Sequence, residues 1–89
     1  MQHRLKTDPK VFDEVAAGLK TFEIRYDDRG YQVWDILELA KTRYTSEEMR
    51  NGKPLEYTGQ IVTVGVSHIM RGPIYGFKER WVIMSIKMS

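Results

Sequence analysis

A chain of 89 residues is too short for two cores, each of which would need its own burial to offset folding entropy, so residues 1–89 are expected to form one domain. With 42% hydrophobic residues it can pack a core, while 29% charged residues and a mean hydropathy of −0.46 describe a soluble surface and exclude wholesale disorder. The lack of cysteine excludes disulfides and thiolate metal sites, and fourteen Lys and Arg against twelve Asp and Glu leave a charge of only +2, so attraction to a polyanion would have to come from local arrangement.

The chain opens on Met1-Gln2-His3-Arg4-Leu5-Lys6, charged at once, and nowhere approaches the roughly 18 apolar residues that span a bilayer. A cytoplasmic protein without a membrane partner is expected. Residues 2–6 read as a short first strand. Asp8-Pro9 then opens a helix over 9–17, with Asp8 as N-cap and Pro9 at the first helical position, because a proline there forfeits no intrahelical hydrogen bond. Val11, Phe12, Val15, Ala16 and, past the helix end, Leu19 recur at helical spacing and give that helix one core-facing stripe, with Gly18 as its C-terminal stop.

From Thr21 the period changes to two. Phe22 and Ile24 fall on one side and Thr21, Glu23 and Arg25 on the other, which predicts a strand over 21–25 with one polar face. Tyr26-Asp27-Asp28-Arg29-Gly30 is a turn by composition, and 33–40 resumes as a strand in which Val33, Leu37 and Leu39 share a face with Asp35. The stretch 41–58 is polar, with one helical turn at Ser46–Met49 and a break at Asn51-Gly52-Lys53-Pro54, and is expected to be the most mobile connection. Strands over 60–70 and 81–88 follow from the alternation of Val62, Val64 and Val66 and of Val82, Met84, Ile86 and Met88; a glycine-rich, basic loop over 71–80 joins them. About five strands and one N-terminal helix predict a mainly β domain, a small and mostly antiparallel barrel, because closure removes exposed strand edges; an open α+β sheet is the alternative.

Gly18, Lys20, Glu23 and Arg25 match G-x-K-x-x-E-x-R, and on these residues the chain resembles the ASCH domain family of the PUA-like superfamily, small barrels associated with RNA binding. The flanking His3-Arg4-Leu5-Lys6, Asp28-Arg29, Val33–Leu37, Tyr57-Thr58-Gly59 and Trp81–Ile86 extend the likeness over most of the chain, toward an uncharacterised bacterial and phage subfamily. Trp34 departs from that pattern, which carries glycine before the aspartate. Related amidohydrolases acting on acetylated cytidine use a lysine and a threonine three residues later, the position held here by Glu23, so hydrolysis does not carry over directly.

The resemblance implies a cleft between the early helix and the barrel that binds RNA or a nucleotide-like ligand. Lys20 and Arg25 would meet phosphate or base oxygen, with Glu23 fixing their geometry. On spacing alone the plainer reading, a solvated ion-pair face worth about 0–1 kcal/mol, leads, and Lys20 and Arg25 are then expected to contribute little to folding. Lys6 and Arg29 from the flanking segments, and Arg71 and Tyr75 from the 71–80 loop, complete the expected binding set. Tyr26, Tyr31, Trp34, Phe77 and Trp81 are further stacking candidates, although Trp81 heads an apolar strand and reads as structural, and most aromatics are core. Catalytic candidates are Lys20, Glu23 and Thr21, with strand alternation aiming Thr21 away from Lys20. His3 and His68 have no carboxylates at metal-ligand spacing, and no phosphate-cradling glycine loop is present, so no metal or cofactor is expected. A nucleoside amidohydrolase or ribonuclease, and a phage- or host-encoded protein-interaction module, are the competing functions.

Overall fold

The computed structural model describes residues 1–88. One five-stranded sheet in the order β1-β3-β4-β5-β2 curls into a half-barrel, built from β1 (Gln2–Thr7), β2 (Phe22–Tyr26), β3 (Ile36–Thr42), β4 (Tyr57–Arg71) and β5 (Trp81–Met88). Three of its four pairings are antiparallel, while β1 runs parallel to β3. Edges β1 and β2 share no backbone ladder, so the half-barrel has one seam between them.

Helix α1 (Pro9–Ala16) crosses from β1 and buries Phe12 and Val15 against a core that includes Leu5, Leu37, Leu39 and Val64. Proline at its first position and Gly18 at φ +76° bound it as expected. Past Gly18 the N–H groups of Leu19 and Lys20 both donate to the Glu14 carbonyl, at 2.9 and 3.0 Å, and this reversal delivers Lys20 to the start of β2. Asp8 does not cap its own helix with its side chain. Its carboxylate instead accepts from the N–H and hydroxyl of Ser46, at 3.1 and 3.0 Å, tying down a second helix, α2 (Ser46–Arg50). This helix is the expected single turn lengthened, and Thr45 and Glu48 close a capping box at its start. Both ends of the 41–58 stretch belong to strands, so the connection is shorter than its composition suggests.

Three other elements differ from expectation. Val33 is exposed and lies outside β3, which begins only after Trp34, a residue at φ +78° whose N–H donates to the Val66 carbonyl at 2.8 Å. Strand β4 begins at Tyr57 and bulges between Val66 and His68, so Ile69 packs on the core where unbroken alternation would turn it outward. In β2 the alternation holds, but the polar side faces in: Glu23 is 2% exposed while Phe22, Ile24 and Tyr26 are each more than 40% exposed.

The 72–80 loop depends on one small residue. A Cβ at Gly72 would lie 2.1 Å from the Lys78 carbonyl oxygen, a backbone atom that cannot swing aside. Gly72→Ala is expected to destabilise by about 1–3 kcal/mol through overpacking, which urea denaturation reads directly; an unchanged midpoint would mean that the loop shifts freely.

Candidate functional site

Because β2 is an edge strand with its polar side inward, Glu23 and Arg25 face the seam rather than open solvent. The Glu23 carboxylate is held from both sides, by Lys20 Nζ at 3.2 Å on Oε1 and by Arg25 Nε at 3.0 Å on Oε2. Lys20 also donates to the Phe22 carbonyl and sits 4.5 Å above the Phe22 ring. Arg25 continues across the seam, with Nη1 on the Lys6 carbonyl at 3.1 Å and Nη2 on the Thr7 hydroxyl at 3.3 Å. Burying a carboxylate costs several kcal/mol unless cations and hydrogen bonds compensate it, and these two cations supply that compensation. The plainer reading of a solvated ion-pair face therefore gives way to a buried, cross-linked triad.

The triad lines a cleft of about 360 Å³ bounded by β1, α1, β2 and the start of β5. Lys6, Lys20, Glu23 and Arg25 meet there, as the sequence predicts. A guanidinium has five N–H donors and an ammonium three. With three of the first and two of the second engaged, Arg25 keeps two donors and Lys20 one. Lys6 forms no ion pair among the described residues. Three cations against the single Glu23 carboxylate, plus an Asp8 carboxylate turned to Ser46, suit the cleft to an anion or to polarised oxygen acceptors.

The remaining candidates lie elsewhere. Thr21 borders a depression under the end of α1 with Val15, Gly18 and Val64; Lys20 touches that depression too, yet no hydrogen bond joins Thr21 to Lys20 or Glu23. Arg29 leans on Asp28 at 3.8 Å. Arg71 is bound into the 27–31 turn, donating to Asp27 Oδ2 at 2.9 Å and to the Tyr31 carbonyl at 2.6 Å. Asp27 Oδ1 meanwhile accepts from the N–H groups of Arg29, Gly30 and Tyr31. Although burial pushes its carboxyl up, these donors and Arg71 outweigh that and hold it below the usual carboxylate range. Tyr75 is 87% exposed at φ +49°, on the outer loop and away from the cleft.

Tyr31 is buried against His3, edge-on at 5.1 Å, and so is core rather than a stacking surface. His3 in turn bonds the buried Asp35 through Nε2 at 3.0 Å, a structural role. Trp81 departs from its structural reading: it stands 38% exposed, edge-on to Tyr26 at 5.9 Å, and lines the cleft. Among the described residues no cluster of His, Asp and Glu could hold a metal ion, and no helix is long and apolar enough to cross a membrane.

Sequence reasoning missed Thr7, Asp8, Val11, Ile24 and Ser46 as lining residues, and it named Tyr26 and Trp81 among the stacking candidates alone. Thr7 was within reach, because its alternation with His3 and Leu5 puts it on the inner face of β1.

Fold and site together define a mostly β half-barrel domain with a cationic, carboxylate-braced cleft at its seam. The chain belongs to the DUF3850 family, described as a domain of unknown function, whose model matches residues 2–86. Comparison with curated proteins finds no match.

Proposed function

We propose that this is a cytoplasmic, PUA-like domain of the ASCH type that binds RNA or a nucleotide-like ligand in the cleft between α1 and the curled sheet. The observation that carries the reading is Glu23, buried between Lys20 and Arg25 at the cleft mouth while both cations keep donors to spare. A pre-set pair of donors suits phosphate or base oxygen, since the cost of ordering them is met by folding rather than by binding. Lys6, exposed on the same cleft, adds a phosphate contact without a role in the triad.

Lys6→Ala is expected to weaken binding of a fluorescein-labelled RNA several-fold and to lower the slope of log affinity against log salt by about one. Lys53→Ala, outside the cleft, should leave both unchanged. Fluorescence anisotropy at two salt concentrations measures this, and equal binding by both variants and the parent would overturn the assignment. Cleavage of the RNA during the titration would instead place the domain among ribonucleases.

A further inference from the structure

The inverted strand β2 leaves a second surface that the cleft does not explain. Its outer side presents Phe22, Ile24 and Tyr26, and the register sets Ile83 and Trp81 of β5 beside the last two, with Met70 of β4 next to Ile83. Five of these six are 38–45% exposed, and together they form a continuous apolar and aromatic face. On β2, β4 and β5 the other positions of that face, among them His68 and Lys87, are neutral or basic, and none is a carboxylate; Glu38 lies on β3, beyond them. Cations lie on its rings: Lys20 Nζ is 4.5 Å from the centre of Phe22, and the Arg80 guanidinium is 5.7 Å from that of Tyr26.

This face is joined to the cleft. Ile24 and Trp81 line the cleft on one side and, on the other, a depression of about 270 Å³ completed by Gly76, Phe77 and Lys78. A track therefore runs from the Lys20 and Arg25 donors, over the ridge of Ile24 and Trp81, to Phe77 and Lys78. Resting on the proposed cleft function, we infer that the outer face of β2 and β5 is a stacking platform for unpaired bases, making the preferred ligand a single-stranded RNA longer than one nucleotide.

The chemistry favours that occupant over a second copy of the chain or another protein. Rings with cations beside them and no carboxylate suit bases that carry their own phosphates, whereas two such faces brought together would set like charges against each other. A rigid duplex has its bases stacked internally and offers this track no free π-face.

The test uses the Trp34→Phe protein, in which Trp81 is the remaining tryptophan, together with Phe77→Ala in the full chain. Titration with a single-stranded RNA of about ten nucleotides is expected to quench Trp81 fluorescence, and Phe77→Ala, which lies outside the cleft, to lose about tenfold or more in affinity for it while binding a nucleoside monophosphate as the parent does. If RNA and monophosphate bind equally well and Trp81 stays unquenched, the platform is refuted while the cleft function stands. If neither binds, both fall. Equal affinity for a duplex of the same sequence, or Trp81 quenching that tracks protein concentration and a dimer in sedimentation, would also overturn the platform, the latter in favour of self-association.

Discussion

Arg25→Ala is expected to lower stability by about 3 kcal/mol, the scale for stripping one partner from a buried charge. For a domain of this size that moves the thermal midpoint down by about 12–24 °C. The reason is what remains behind. Glu23, 2% exposed, would keep Lys20 but lose the Arg25 bond at 3.0 Å, and the Lys6 carbonyl and Thr7 hydroxyl across the seam would lose their donors. In a Glu23→Leu background the same substitution strands no carboxylate and should cost less than about 1 kcal/mol. Calorimetry on the four proteins of this cycle checks it, and equal losses in both backgrounds would assign the effect to the seam contacts instead of the triad. On this expectation Arg25 serves folding as well as binding, whereas the sequence alone predicts that either cation is removed at little cost. Lys6 is for that reason the better probe of ligand contact.

Asp35→Asn is expected to cost about 2 kcal/mol near neutral pH and to flatten the loss of stability in acid. Burial pushes the Asp35 carboxyl up, but the Met1 amine at 3.0 Å, the Gln32 N–H at 2.9 Å and the His3 ring outweigh it and hold the group at about 2, below its ordinary 3.8. A folded-state value below the unfolded one stabilises fully above about pH 4, and that contribution disappears as pH falls through about 2. The parent should therefore lose stability steeply between those limits, and the Asn variant, having no charge there to neutralise, should lose less. Urea midpoints at about pH 6, 4 and 2.5 read the difference. Parallel curves for the two proteins would show that another carboxylate governs acid unfolding.

Much of this architecture is legible in the sequence wherever the determinant is local. Asp8-Pro9 and Gly18 bracket α1 by backbone chemistry that neighbours do not alter, and the valines and methionines of β4 and β5 announce their period directly. What local pattern does not carry is sign. The alternation of Phe22, Glu23, Ile24 and Arg25 fits either orientation, and hydropathy alone would turn the rings inward. The outcome is set by partners distant in the chain: Lys6 and Thr7, which lie 19 and 18 residues before Arg25 and accept its guanidinium, and an inner surface beside Glu23 already filled by Met84. The same holds for Trp81, placed on the outer face because Val82 and Met84 take the inner one, and for Arg71, held by Asp27 from 44 residues away. Of the residues proposed from sequence, Lys20, Glu23 and Arg25 of the signature reached the cleft, as did Lys6 on β1, Tyr26 and Trp81, whereas Thr21 did not. Arg29, Arg71, Tyr31 and Tyr75, chosen by charge or ring alone, lie outside it, the first three held by tertiary or turn contacts.

The side chain that bridges β1 and β2 carries one more implication. Elsewhere in the sheet, spacing between strands is dictated by backbone ladders, which every sequence shares. At the seam it is dictated by how far one guanidinium reaches from β2 to the Lys6 carbonyl and the Thr7 hydroxyl. The seam is thus adjustable in a way the laddered strands are not: a shorter or longer group at position 25 is expected to change the spacing of β1 and β2 there while the four ladders keep their registers.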